Sequence, residues 1–393
     1  MSRRQLYLRF AWWVFTLAWV DALARRAKRA PARGILMVRV DGLGDLVLWL
    51  PAAAGLRERY EGERITLLAN EAWAELAKAT GIFDEIWTLN RRRFVLNPGY
   101  RLQVLRRVAE AGFRLTVYPA WARDFLWGDA IVRASGADER VGYRGCYDLM
   151  TWPGRILSDR WYTCLLPVGP GHAFELNAAL AGALEADVGT VDWRRIAELG
   201  RVPRCLEGTA YYVVAPGARQ SRWRWPVERF AAVVDWLHGV TGWVGCICGS
   251  PSEREIARVI ISRAKAPLID VTGETSLLDL TALLAEARLV IANESGTAHL
   301  GAALRAPVVC VTGGGHYGRF VPYTGVLGPD ESLRAAVHAM ECFGCNWNCR
   351  FPRRAGDPAP CVRAVDVDVV VKAVQEILPR MEREGRAGMG RAG

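Results

Sequence analysis

Short apolar runs that break off at a glycine-bearing polar turn and lead into a helix-length segment recur along this chain, and they restrict its fold more than any other feature. The fullest case is Leu289-Val290-Ile291-Ala292, then Asn293-Glu294-Ser295-Gly296-Thr297, then Ala298-His299-Leu300-Gly301-Ala302-Ala303: a buried strand, a turn and the start of a helix of small residues. Strands alternating with helices predict a parallel sheet of crossover units. In the first half the strands are expected at 35–40, 65–69, 85–89 and 115–118, with helices at 46–59, 71–80 and 101–111 and a basic loop at Arg91, Arg92 and Arg93. Residues 143–170 are aromatic and glycine-rich with little periodicity and read as loops; 192–208 reads as a connection. The theme restarts with strands at 211–215, 243–248, 268–271, 289–292 and 307–312.

A chain of 393 residues with this pattern is long enough for two domains, placed at 34–200 and 201–380, with a flexible tail at 381–393. Ligands of such sheets gather beyond the carboxyl ends of the strands, where the glycine turns lie, and two domains facing each other would form a cleft. The formal net charge of +10 favours polyanions or an anionic membrane surface. Its basic residues are spread between structured segments without a nucleic-acid motif, so no nucleic-acid partner is expected. Ten cysteines without a secretory signal pattern point to a reducing, cytoplasmic compartment.

Residues 1–33 stand apart. Arg3, Arg4 and Arg9 precede the run from Phe10 to Val20, which carries Trp12, Trp13 and Trp19; Arg25, Arg26, Lys28 and Arg29 follow. Eleven mostly apolar residues are too few to cross a bilayer, so the segment reads as a helix lying in the membrane interface, or else packed on the body of the protein or on a second subunit.

Several turns carry candidate chemistry. At 293–299 the first amides of the helix are unpaired and its positive end faces outward, which suits a phosphate. Gly296 lets a ligand approach the backbone, and Glu294, Ser295, Thr297 and His299 add polar contacts; alternatively Ser295 or Thr297 caps a structural helix. Asp45, just after Gly42 and Gly44, is placed either to deprotonate an acceptor hydroxyl or to cap its helix. Arg219, Arg222 and Arg224 follow the Pro216-Gly217 turn and suit a leaving diphosphate, with a solvated basic turn as the rival. Glu253 opens a helix after Gly249 and suits the vicinal hydroxyls of a ribose, although helix electrostatics alone favour a glutamate there. Cys342, Cys345, Cys349 and Cys361 supply four thiolates, enough for structural zinc or an iron–sulfur cluster, with redox use or buried free thiols as alternatives. His299 lacks a second ligand at metal spacing, so a metal-independent mechanism is expected.

Taken together, Val38-Arg39-Val40-Asp41-Gly42-Leu43-Gly44-Asp45 with Pro51, Pro216-Gly217-Ala218-Arg219 with Trp225-Pro226, and Asn293-Glu294-Ser295-Gly296-Thr297-Ala298-His299 resemble glycosyltransferase family 9, the lipopolysaccharide heptosyltransferase family. The resemblance runs from about Gly34 to Leu378 and leaves the N-terminal helix outside. It implies an α/β fold of two Rossmann-like domains in the GT-B arrangement, and inverting transfer of a sugar from a nucleotide-diphosphate donor, an ADP-sugar in the first place, without a catalytic metal. It also implies Asp45 as base, Glu253 near the donor ribose and Ser295-Gly296-Thr297 around the diphosphate. The implied acceptor is lipopolysaccharide or another surface glycan, and the implied location the cytoplasmic face of the inner membrane. Two departures stand out: Glu294 replaces the usual aspartate, and Trp223, flanked by Arg222 and Arg224, replaces a lysine. The rivals are a sugar-nucleotide epimerase of GT-B form and a non-enzymatic glycan- or membrane-binding protein. An oxidoreductase is disfavoured because neither half has a clean G-x-G-x-x-G turn.

Overall fold

A computed structural model describes residues 3–145, 150–167, 169, 171–323 and 332–389. The chain forms two compact units, one of Met1–Gly42, Trp49–Pro170 and Glu175–Val191, the other of Leu43–Leu48, Gly171–Phe174 and Asp192–Gly393.

The first unit is built on a six-stranded sheet: β1 (Ile35–Arg39), β2 (Ile65–Asn70), β3 (Glu85–Leu89), β4 (Leu115–Tyr118), β5 (Glu139–Tyr143) and β6 (Cys164–Leu166). The order is β3-β2-β1-β4-β5-β6 with every pair parallel. Ile35, Leu36, Met37 and Val38 have no exposed surface, as expected of a central strand covered by helices on both faces. The second unit repeats the plan with β7 (Tyr211–Ala215), β8 (Val244–Ile247), β9 (Leu268–Asp270), β10 (Val290–Asn293), β11 (Val308–Val311) and β12 (Leu333–Ala336) in the order β12-β11-β10-β7-β8-β9, again all parallel. In each sheet the strand order reverses once, between β1 and β4 and between β7 and β10, and a crevice for a ligand opens at such a switch point. These are two Rossmann-like α/β domains of the GT-B class.

Polar side chains tie the strand ends at both switch points. Arg39, only 4% exposed, ends β1 and donates from Nη1 to the carbonyl of Pro119, just past β4, while its Nε lies 3.1 Å from Asp41. Asn293 ends β10 and donates from Nδ2 to the carbonyl of Pro216, just past β7, at 2.6 Å; its Oδ1 accepts from the Trp225 amide at 3.0 Å.

Where the sequence suggests loops at 143–170, the structure has the end of β5, a helix Trp152–Asp159 and the edge strand β6; residues 146–149, 168 and 170 lie outside the described residues. Three residues of half-exposed edge strand are too few to show a period. The basic stretch at Arg91 is not a loop but the helix Arg91–Leu96, capped by Asn90, whose side chain accepts from the Arg93 amide at 2.9 Å. The last helix, Val367–Met389, continues into the stretch expected as a flexible tail, of which 390–393 lie outside the described residues.

The N-terminal segment is helical over Arg3–Trp12, makes one π turn at Trp13–Leu17 and resumes as α-helix over Ala18–Ala24. Residues Arg4–Ala24 are by length and composition enough to cross a membrane, so the shortness of the apolar run does not decide the matter. The inner face does bear on it. Leu6, Trp13, Leu17, Val20 and Ala24 are buried in the first unit, and Trp13 meets Phe125 edge to face at 4.6 Å. Asp21 accepts from Arg101 Nε at 2.5 Å, Arg101 Nη2 at 2.8 Å and Trp13 Nε1 at 2.8 Å, and Arg9 pairs with Asp124 at 2.9 Å.

Candidate functional site

The helix Leu43–Arg59 begins in a turn that belongs, through Leu43–Leu48, to the second unit, and the helix Gly296–Ala303 begins there after β10. The two helix starts approach closely because both carry glycine. A Cβ on Gly44 would stand 2.6 Å from His299 Cδ2, and one on Gly296 would stand 2.7 Å from Leu43 Cβ. Two sets of first-turn amides and two positive helix ends are thereby brought to one place, an arrangement suited to a multiply charged anion.

Asp45 lies in the first turn of its helix, half-buried, and its charge is felt by His299. His299 is buried, with Nδ1 2.6 Å from the Tyr323 hydroxyl and its ring stacked on that tyrosine at 5.9 Å. Burial drives its pKa down to about 4 against the opposing pull of Asp45, with a further downward push from His172, so the imidazole is neutral at pH 7. His172 reaches the same corner: its Nε2 is 2.9 Å from the Phe320 carbonyl and its ring meets Tyr323 edge-on at 5.4 Å.

Ser295 does not cap its helix with its side chain, and its Oγ is buried without a partner among the described residues. A hydroxyl so placed can donate to an anion held at the helix start. Thr297 is half-buried in the same turn. Glu294 turns toward the neighbouring strand and accepts from Thr312 Oγ1. Burial raises its carboxyl to about 7, with the Thr312 hydrogen bond opposing.

Gly217 lies against the Glu253 carboxylate: a Cβ there would fall 1.8 Å from Oε1. Glu253 also accepts from the Ser250 amide at 2.7 Å and the Ser250 hydroxyl at 2.9 Å in a capping box. It therefore joins the ends of β7 and β8 whatever else it binds. Arg224 Nε donates to the Ala218 carbonyl at 2.9 Å, and Arg222 donates to Gln220 Oε1 at 2.5 Å and to the Trp347 carbonyl at 3.1 Å. Burial, then the nearby Arg353, lowers the Arg222 pKa. Arg219, in the same turn, is also engaged within the protein. Trp223 packs on Trp347 at 5.6 Å and His316 at 6.3 Å.

The expected metal site finds no support in the arrangement of the described side chains. Cys342, Cys345, Cys349 and Cys361 lie near enough to influence one another, but among the described residues no group of three or more His, Cys, Asp and Glu side chains is arranged to hold a metal ion. Cys361 is buried against Gly313, Cys349 is exposed, and none of the four forms a disulfide. Burial raises the thiols of Cys345 and Cys361. The loop is held instead by packing: Phe343 and Trp347 sit so close over Gly314 and Gly315 that a Cβ on either glycine would fall within 2.0 and 2.3 Å of their rings.

Reading the sequence does not single out Arg39, Tyr323 or the strand-joining role of Asn293. A charged residue closing an apolar strand and an asparagine closing another were the available signals; Tyr323 carried none.

The model of glycosyltransferase family 9 (heptosyltransferase) matches residues 190–331. A lipopolysaccharide heptosyltransferase 1 of Pseudomonas aeruginosa is 26% identical over 79% of this chain and 84% of its own length. A lipopolysaccharide heptosyltransferase 3 of Escherichia coli is 27% identical over 39% of this chain, and the match spans 47% of the length of that relative. Among solved structures, the Escherichia coli ADP-heptose lps heptosyltransferase II superposes with a TM-score of 0.64 at 16% identity, covering 89% of this chain and 99% of that one, which bears on the fold.

Proposed function

We propose that this chain, whose residues 190–331 match the model of glycosyltransferase family 9, acts as a member of that family and transfers a sugar, heptose in the first place, from an ADP-linked donor to a hydroxyl of lipopolysaccharide or a related surface glycan, with inversion at the anomeric carbon. The observation that carries this reading is the meeting of two helix starts, one bearing Asp45 and the other Ser295, Gly296 and Thr297. The amides of both starts and the unpaired Ser295 hydroxyl would receive the diphosphate, assisted by Gly217, Arg219, Arg222 and Arg224. Glu253 would meet the ribose, and Glu294 would hold the turn through Thr312. Asp45 would take the proton of the acceptor hydroxyl as its oxygen bonds to the anomeric carbon and the bond to the diphosphate breaks. His299, neutral and hydrogen-bonded to Tyr323, would place no competing positive charge beside that carboxylate. The acceptor is read as membrane-held, with the enzyme peripheral on the cytoplasmic face of the inner membrane.

The test is ADP release from ADP-heptose in the presence and absence of a lipopolysaccharide acceptor lacking outer sugars. Asp45→Asn should bind ADP within about twofold of the wild type yet lose at least about a hundredfold in transfer. Retained transfer by this variant rejects the base. Donor conversion without acceptor would make the protein an epimerase.

A further inference from the structure

The N-terminal helix has a second face that the fold leaves uncovered. Leu8, Trp12, Phe15 and Trp19 are spaced at four, three and four residues, and on either side of the π turn at Trp13–Leu17 all four are exposed on the outer side of the helix. Phe15 is 81% exposed, Leu8 and Trp19 60%, and Tyr7 and Val14 extend the apolar surface to one side. On the flank of the helix, Phe10 packs beside the helix Trp152–Asp159, where a Cβ on Gly154 would lie 3.3 Å from its ring. That neighbouring helix also turns Trp152 and Ile156 outward, one helical turn apart.

Basic groups predominate around this surface. Arg4, Arg25, Arg26, Lys28 and Arg29 are exposed along the segment. Arg9 and Arg91 both stand over the Trp127 ring, at 4.9 and 4.2 Å, which joins the helix to the exposed Arg92 and Arg93. The nearby carboxylates are paired: Asp21 with Arg101, Asp124 with Arg9, and Asp159, partly exposed on the helix of Trp152, with Arg123 and Arg155.

We infer that the Leu8, Trp12, Phe15 and Trp19 face, with Trp152 and Ile156 beside it, docks on an anionic phospholipid bilayer, the helix lying along one leaflet. A convex aromatic ridge with guanidinium groups at its ends matches the boundary between headgroups and acyl chains, where tryptophan rings and snorkelling arginines are stable. Crossing the bilayer would withdraw Trp13 and Leu17 from the core of the first unit and leave Arg101, which has no exposed surface, without Asp21. The inference rests on the reading of the acceptor as membrane-held and adds the residues that make the contact and the depth they reach.

The test uses the full chain and vesicles of phosphatidylethanolamine with phosphatidylglycerol, with phosphatidylcholine vesicles as the neutral comparison. Wild type should co-float with the anionic vesicles, bind the neutral ones at least about tenfold more weakly, and lose binding as salt rises. The triple variant Trp12→Ser, Phe15→Ser, Trp19→Ser should lose at least about tenfold in anionic-vesicle binding, and Trp152→Ser with Ile156→Ser a smaller factor, each with unchanged melting temperature and ADP affinity. Wild-type partitioning by the triple variant would overturn the inference. So would a wild-type protein that stays in bacterial membranes through alkaline carbonate extraction, which would mean that the helix spans. Vesicle binding that fails while transfer to acceptor persists removes the docking surface alone; docking without transfer removes the transferase reading alone.

Discussion

Gly296→Ala tests whether the approach of two helix starts makes the anion site. The added methyl would lie 2.7 Å from Leu43 Cβ, 2.8 Å from Cγ and 2.9 Å from Cδ2. Ordinary carbon contacts are about 3.5–4.0 Å, so the shortfall is roughly 1 Å. Leu43 Cβ is fixed to the backbone at the first residue of its own helix, so a rotamer change cannot move it away; one helix start must shift. Overpacking of this kind costs about 1–3 kcal/mol, of which the helix preference of alanine over glycine returns about 0.5–1 kcal/mol. Stability should therefore fall by about 1–2 kcal/mol. Binding should suffer more, because separated helix starts cannot both reach one diphosphate. A lost hydrogen bond to a charged group is worth about 1.5–3 kcal/mol, or roughly 10- to 150-fold in the ADP dissociation constant by calorimetry. Gly239→Ala is the matched control: it lies in the helix Val227–Thr241 with nothing within 4 Å of the new methyl, and should stabilise by about 0.5–1 kcal/mol without changing ADP affinity. A folded Gly296→Ala protein that binds ADP within about twofold of wild type would refute the reasoning.

Three further outcomes are expected. Arg101→Met leaves Asp21 buried without its partner and should lower stability by about 3–5 kcal/mol in chemical denaturation, loosening the N-terminal helix first by hydrogen exchange. Glu294 keeps its proton to about 7 in the folded protein against an ordinary value of 4.5, so its contribution to stability is lost as pH rises through that interval; Glu294→Gln should gain in melting temperature relative to wild type from pH 5 to pH 8. His299 works in the opposite sense: its folded pKa of about 4 lies below the ordinary 6.5, so the unfolded state takes up the extra proton and stability falls as pH drops from 6.5 to 4, a slope that His299→Gln should remove.

Much of the architecture was legible because buried parallel strands write themselves as continuous apolar runs; β1, β7 and β10 are of this kind and end in glycine turns. The edge strands β3 and β9 were also legible, whereas β5, β6 and β12 were not. β6 has three residues, half exposed, and β12 is Leu-Arg-Ala-Ala, whose pairing with β11 depends on distant chain rather than on its own composition. At the candidate site the sequence pointed to residues but not to their duties. Glu253 and Arg224 looked like ligand groups and also hold turns, because a turn leaves backbone amides and carbonyls without ladder partners, which side chains can satisfy. The cysteine spacing suggested a metal, whereas a sequence interval cannot report whether side chains converge; here Phe343 and Trp347 pack over the glycines instead. The approach of Gly44 to His299 and of Gly296 to Leu43 joins segments about 250 residues apart and could be found only in three dimensions.

Calorimetric titration of the purified full-length protein with ADP, GDP, UDP, CDP and dTDP tests the central claim most directly. The account predicts a single ADP site, favoured over the other diphosphates and weakened by Gly296→Ala. Binding of none of the five, by a protein shown to be folded, would contradict it.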